Sequence, residues 1–286
     1  MLEYCVISMF SQKSIRYTLA VLSGFTAFVI LSVAISTNIR IPFLSQEATV
    51  LLSQREIPVD KPKFGYIEII NSCNESFEND CVVARSGPST EFPTVATLRS
   101  GIVLKVEKSV VENDQLWHKV IFDEWLRYPN RVRGDWYVSS EYSRFFLDNG
   151  THDLTQSDSI PKAKYILVDR SDQTLYAYED DILVMSQVIS TGIDLTPTPR
   201  GTFTIYRKTP SRYMQGPLPG ISSKYYDLPG VPWNLYFTKQ GGVIHGAYWH
   251  NSFGKKWSSG CVNVPLTKAQ ELYEWADIGT KVIVRD

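Results

Sequence analysis

The chain has 286 residues, 43% of them hydrophobic and 21% charged, and its 29 Lys and Arg against 30 Asp and Glu leave a net charge of −1. That length allows about two domains with a sizeable core, the apolar fraction excludes a disordered chain, and the balanced charge offers no field to hold nucleic acid. Seven Trp, 16 Tyr and 13 Phe suit a β-rich core as well as a cleft for sugars or peptides, so composition selects neither.

The first predicted element is "YTLAVLSGFTAFVILSVAI", Tyr17 to Ile35, an uncharged run preceded by Lys13 and Arg16. It has nearly the length a bilayer needs, and its basic flank should stay inside. Residues 1–37 therefore read as a cytoplasmic tip and an N-terminal transmembrane helix, a single-pass membrane anchor that leaves the rest extracytoplasmic. A cleaved signal peptide, with Ala34 and Ser36 as small residues, is the alternative. Residues 38–63 contain three prolines and no sustained period, and read as a linker.

From 64 to 146 come short alternating runs, "YIEII", "CVVARSGPS", "TVATLRSGIVLKVEKSVV", "LWHKVIF" and "DWYVSSEY", bounded by Gly, Pro, Asn or Asp. This is the pattern of a small antiparallel β-barrel. Cys73 and Cys81 lie close together in a polar loop, and an oxidising compartment would let them pair as a disulfide. His118 reads as a packed or barrel-surface residue. Residues 147–162 read as a second linker with His152 solvated.

The strand pattern resumes at Lys164 with "YILVDRSDQTLYAYEDDILVMSQVIST", then a proline-set turn and strand in "GIDLTPTPRGTFTIYRK". The stretch from Thr209 to Trp233 holds too much Pro, Gly and Ser for regular structure, and reads as a binding loop or lid, because Tyr213, Met214, Tyr225, Tyr226 and Trp233 would be wasted in solvent. A strand, a turn and a strand ending at His245 follow. "TKAQELYEWADIGTKVIV" gives one C-terminal helix capped by Thr267 and stopped by Gly279, then a last strand.

Cys261, in "KKWSSGCVNVPL", is left without a partner on the exported side, and an unpaired exported thiol is a liability unless the protein uses it. An imidazole within reach, His245, can take its proton and stabilise the thiolate. The glycine before the cysteine permits a tight turn whose backbone N–H groups face an oxyanion, with the hydroxyls of Ser258 and Ser259 nearby. A zinc site of His245, His250 and Cys261 has no C-x-x-C and no convincing fourth ligand. A buried structural cysteine stays open.

"IHGAYWHNSFGKKWSSGCVNV" resembles the signature of the L,D-transpeptidases, a His-Gly pair followed by a Ser-x-Gly-Cys turn, and "TPTPRGTF" resembles that family's upstream turn. "VARSGPSTEFPTVATLRSGIVLKV", "LWHKV" and "GDWYVSSEY" resemble the bacterial SH3-like wall-associated domains. The resemblances imply a mainly β protein: the N-terminal transmembrane helix, a small SH3-like β-barrel at 64–146, and a mixed β-sandwich catalytic domain at 163–286. They imply Cys261 as nucleophile and His245 as general base, with Gly246 beside it. Gly260, Cys261 and Ser259 would support the oxyanion, and Trp249, Asn263, Ser258, Tyr226 and Trp233 would line the substrate cleft. Ser259 stands where many members carry a second histidine; His250, read as a loop-surface residue, is the compensating candidate.

The implied partners are peptidoglycan stem peptides and the cell wall, with the membrane reached through the N-terminal helix, no cofactor, no metal and no nucleic acid. The implied reaction releases D-alanine from a tetrapeptide stem and passes the acyl group to an amine. Three rivals remain: a sortase-like transpeptidase, which needs a later arginine where only Arg285 follows Cys261; a papain-like wall hydrolase, whose cysteine precedes its histidine; and a catalytically impaired wall-binding protein.

Overall fold

Alternating apolar positions become strands from Phe64 onward in the computed structural model, which describes residues 63–74, 76, 78, 80–155, 164–220 and 222–286. The apolar run at 17–35 and nearly all of the linker at 38–63 lie outside the described residues. Among the described residues no helix is long and apolar enough to cross a membrane.

The first module is a seven-stranded sheet of β1 (Phe64–Ile69), β2 (Val82–Arg85), β3 (Thr94–Leu98), β4 (Val103–Glu112), β5 (Gln115–Val120), β6 (Trp136–Ser139) and β7 (Ser143–Asp148), in the order β3-β2-β6-β5-β4-β1-β7. Its neighbouring strands pair antiparallel among the described residues. Cys73 and Cys81 are joined by a disulfide, with Cα atoms 4.5 Å apart. His118 is packed rather than solvated: its Nδ1 lies 2.8 Å from Ser109 Oγ and its ring stacks on Phe145.

The second module holds two five-stranded sheets. One comprises β9 (Lys164–Asp169), β10 (Thr174–Glu179), β11 (Ile182–Val188), β12 (Gly201–Thr204) and β17 (Lys281–Arg285), ordered β11-β10-β9-β17-β12. The other comprises β8 (His152–Asp153), β13 (Arg207–Leu218), β14 (Ser222–Tyr236), β15 (Val243–Gly246) and β16 (Val262–Val264), ordered β16-β15-β14-β13-β8. Parallel pairs, β17 with β9 and β15 with β16, make both sheets mixed. Inward residues of both, such as Ile166, Leu175, Val282, Leu235, Ile244 and Val264, close one core. Burying each such side chain stabilises by about 1.5–3 kcal/mol. The helix α1 (Leu266–Trp275) adds Ala269, Leu272 and Tyr273 to it.

Several local expectations are corrected. The stretch 209–233 is a regular β13–β14 hairpin, because β13 pairs with β8 only at Arg207 and Lys208 and β14 with β15 only at Leu235 and Tyr236. The rest is a two-stranded arm whose outer edges tolerate proline, with bulges at Arg212/Met214 and Gly216/Leu218. Trp233 does not line a cleft: it is 5% exposed and packs between Phe146 and Tyr273. The helix begins after Pro265 with no side-chain cap, so Thr267 lies inside its first turn. His152, in the expected linker, instead pairs in β8 with Lys208.

Residues 61–286 form one compact unit, and its two modules share buried surface. Val231 and Tyr248 join Leu98, Ile102 and Leu104 in one core cluster. Ser211 Oγ donates to the Val103 carbonyl at 2.6 Å. Gly230, at φ +60°, runs so close that an added Cβ would lie 2.3 Å from that same carbonyl oxygen.

Candidate active site

The β15–β16 register places His245 opposite Asn263 and Gly246 opposite Val264, so the strand carrying the histidine runs beside the strand that follows Cys261. Gly246 is fixed by closeness: a Cβ there would meet Pro232 Cγ at 2.9 Å and Ala269 Cβ at 3.3 Å. The turn before Cys261 is held from within by Ser258, whose Oγ donates to the Cys261 carbonyl and accepts from the Gly260 N–H at 3.1 Å. Gly260 sits at φ +114°, where other residues would be strained.

The upstream segment braces this turn from outside. Ser190 and Asn263 exchange backbone hydrogen bonds, Thr191 O accepts from the N–H groups of Trp257 and Ser258, and Ile193 N–H donates to Ser258 O at 2.9 Å. Thr198 Oγ1 accepts from Gly192 N–H at 2.9 Å and donates to the Cys261 carbonyl at 3.4 Å. The proline-set turn thus fixes the backbone of the cysteine.

His245 is 1% exposed, and its Nδ1–H donates to the Gly246 carbonyl at 3.0 Å. That bond assigns the tautomer and leaves Nε2 as a lone pair, which has no hydrogen-bond partner among the described residues. Burial pushes the imidazole down to about 4, overriding the bond to Gly246. The Cys261 thiol, half-buried with Sγ 3.8 Å from the Gly241 carbonyl, is raised above its ordinary value by burial; Arg212 and a Val243 backbone hydrogen bond oppose this without cancelling it. At neutral pH the pair is thiol and imidazole, not thiolate and imidazolium. A neutral imidazole with a free lone pair has the chemistry to accept a proton.

Cys261 and His245 line one cavity of about 300 Å³. Of the residues read as substrate-binding, Trp249, whose ring centre lies 5.6 Å from that of His245, Asn263, Ser258 and Tyr226 line it too, as does Ser259, read as oxyanion support. Trp233 is the exception, held in the core. Sequence reasoning missed Arg212 and Gln215, hidden in the stretch read as irregular, and Trp125 and Arg127, which come from the other module. Among the described residues no group of three or more His, Cys, Asp or Glu could hold a metal ion.

A model of the YkuD family, the L,D-transpeptidase catalytic domain, matches residues 163–284. A Bacillus licheniformis protein designated, by inference, the L,D-transpeptidase YkuD is 33% identical over 134 residues, covering 46% of this chain and 70% of that one. This chain belongs to the YkuD family. Its second module is thus an L,D-transpeptidase catalytic domain, of an acyltransferase class that acts on peptidoglycan stem peptides. Among solved structures, an L,D-transpeptidase from Mycobacterium smegmatis aligns at 20% identity and a TM-score of 0.41, covering 60% of this chain and 91% of that one. The catalytic domain of the E. faecium L,D-transpeptidase aligns at 25% identity and a TM-score of 0.38, covering 45% of this chain and 100% of that one.

His250 is not on the loop surface. It is buried, its Nδ1 accepts from Ser252 N–H at 3.1 Å, and its Nε2 lies 2.8 Å from the Asn263 amide. With Nδ1 accepting, Nε2 carries the proton, so the Asn263 amide is best turned to present its oxygen, which otherwise has no partner among the described residues. In the YkuD domain His250 thus orients a cleft residue. His250→Ala should destabilise by about 1–3 kcal/mol, since it strands a buried amide, and should slow acylation of Cys261 by about tenfold. Thermal melting together with acylation kinetics checks this; two unchanged values would show that Asn263 needs no such partner.

Proposed function

We propose that this YkuD-family protein is a cysteine L,D-transpeptidase with Cys261 as nucleophile and His245 as general base. The observation that carries the reading is the His245 ring: Gly246 holds its Nδ1 proton, and its unpartnered Nε2 belongs to a residue lining the same cavity as Cys261. His245 Nε2 takes the thiol proton as sulfur attacks the carbonyl preceding the terminal D-alanine of a tetrapeptide stem. The same imidazole then returns the proton to the departing D-alanine amine, leaving a thioester. The side-chain amine of a neighbouring stem attacks that thioester, forms the cross-link and restores the thiol.

Gly260 N–H is tied to Ser258 Oγ in this resting arrangement, so the oxyanion role falls first to the backbone N–H of Cys261. Tyr226, half-buried against the cavity from β14, would cover the stem and keep water from the thioester. The seven-stranded module would be an SH3-like wall-associated domain, and the uncharged run Tyr17 to Ile35 behind Lys13 and Arg16 would anchor the enzyme with its catalytic domain outside the cell membrane. Intact-mass analysis after exposure to a carbapenem tests the nucleophile. One covalent adduct, mapped to Cys261, is expected; an unmodified protein would sink the reading.

A further inference from the structure

The loop between β5 and β6, residues 121–135, leaves the first module and lies along the β13–β14 arm of the catalytic domain. Its placement rests on a dense set of bonds. Glu124 Oε1 accepts from Tyr213 N–H at 2.7 Å, and Tyr128 N–H donates to Gln215 Oε1 at 2.7 Å, while Gln215 Nε2 returns a bond to the Tyr128 carbonyl at 3.1 Å. Tyr128 Oη donates to the Pro217 carbonyl at 2.8 Å and Arg131 donates to that of Gly216 at 2.6 Å. Phe122 packs its ring on Tyr213, centres 5.3 Å apart. A surface loop held at so many points is a fixed wall of the cleft.

Between these anchors the loop leaves two side chains at the cavity, Trp125 and Arg127. Trp125 is 73% exposed, an unusual position for an indole, and carries the Arg127 guanidinium 5.4 Å from its ring centre. The charges lining the cavity are one-sided: Arg127, Arg212 and Lys224 line it, and no Asp or Glu among the described residues does. The chain as a whole has net charge −1, so this concentration is local and not a reflection of composition. Glu124, the carboxyl placed to offset Arg212, is turned to the Tyr213 backbone and is pushed up to about 7 by burial, which weakens its charge at neutral pH. Arg127 and Arg212 make no ion pair among the described residues, and two such cations at one cleft fit an anionic ligand.

Resting on the transpeptidase reading above, we propose that Arg127 and Trp125 of the first module are specificity residues of the catalytic cleft. Arg127 acts with Arg212 to bind the free carboxylates of an acidic peptide, and the indole of Trp125 seats its backbone. The module that precedes the catalytic domain then completes the substrate site instead of merely spacing it from the wall. Arginine suits this role because its planar fork pairs with a carboxylate and its charge does not titrate.

The test uses the full chain carrying Cys261→Ala, so that binding is read without turnover. The probes are a synthetic tetrapeptide stem with free carboxylates and the same peptide with every carboxylate amidated. The free acid should bind about tenfold more tightly than the amide, as a charge-assisted pair worth about 1.4 kcal/mol requires, and added salt should shrink the gap. Arg127→Ala should remove most of the preference, Arg127→Lys should keep part of it, and Trp125→Ala should weaken both peptides alike. An Arg127→Ala chain with the full preference, an equal loss on both peptides, or a parent chain with no preference or no binding would overturn the proposal. Release of D-alanine by the native chain is followed in parallel: preference without release would leave the cleft assignment standing and sink the reaction.

Discussion

Cys261→Ala should abolish release of D-alanine from tetrapeptide stems, lowering turnover by at least about a thousandfold, because Cys261 is the free thiol among the described residues. Among the described residues the remaining cysteines, Cys73 and Cys81, are bound to each other. The fold should survive. Cys261 is half-buried and its sulfur makes only a long contact of 3.8 Å to the Gly241 carbonyl, while the turn around it is held by Ser258 and Thr198 through the Cys261 main chain, which the substitution leaves in place. The melting temperature should therefore move little, corresponding to about 1 kcal/mol or less. D-alanine release at the native rate by the variant would remove the nucleophile assignment, and a collapsed melting transition would show that Cys261 is a packing residue.

His245→Ala should slow acylation by at least about a hundredfold, the usual scale for losing a general base. The pH profile of the native chain carries more information than the variant alone. Burial holds the imidazole down at about 4, so in the free enzyme it is an unprotonated base throughout the range from pH 5 to 8. The second-order rate of acylation should then be flat across that range and fall only as the pH approaches 4, where the base gains a proton. An ordinary exposed histidine would give the fall near 6.5 instead. In His245→Ala the acid fall should vanish along with the rate. A native profile that drops near pH 6.5 would mean that the ring is not buried when the enzyme reacts; a drop that persists in the variant would assign it to another group.

The candidate site was legible in the sequence because it is compact in sequence: His245, Ser258, Gly260 and Cys261 lie within one short stretch, and strand pairing brings together what a motif already groups. Strand β2 was legible from alternation, since it buries Val82 and Ala84 and turns Val83 and Arg85 outward. The β13–β14 arm was not, because its prolines and glycines mark turns in most contexts and are tolerated here only where the strands lack an outer neighbour. Trp233 misled for a related reason: an aromatic in a stretch read as loop suggests a ligand, whereas the long β14 strand carries it back to the core beneath α1.

His250 and the 121–135 loop show a different limit. Nothing local distinguishes a histidine in a polar turn from one whose Nε2 meets an asparagine 13 residues later. Trp125 and Arg127 lie more than a hundred residues from Cys261 in sequence, and their loop reaches the cleft through its bonds to the β13–β14 arm and the packing of Val231 and Tyr248 against the first module.

Formation of a thioester on Cys261 with loss of D-alanine is tested by mixing the full chain with a tetrapeptide stem, quenching in acid and determining intact mass and free D-alanine together. A protein heavier by the tripeptide acyl group is expected, the adduct mapping to Cys261, with one D-alanine released for each adduct formed. D-alanine released with no adduct at any quench time, from a Cys261→Ala chain as readily as from the native one, would contradict it.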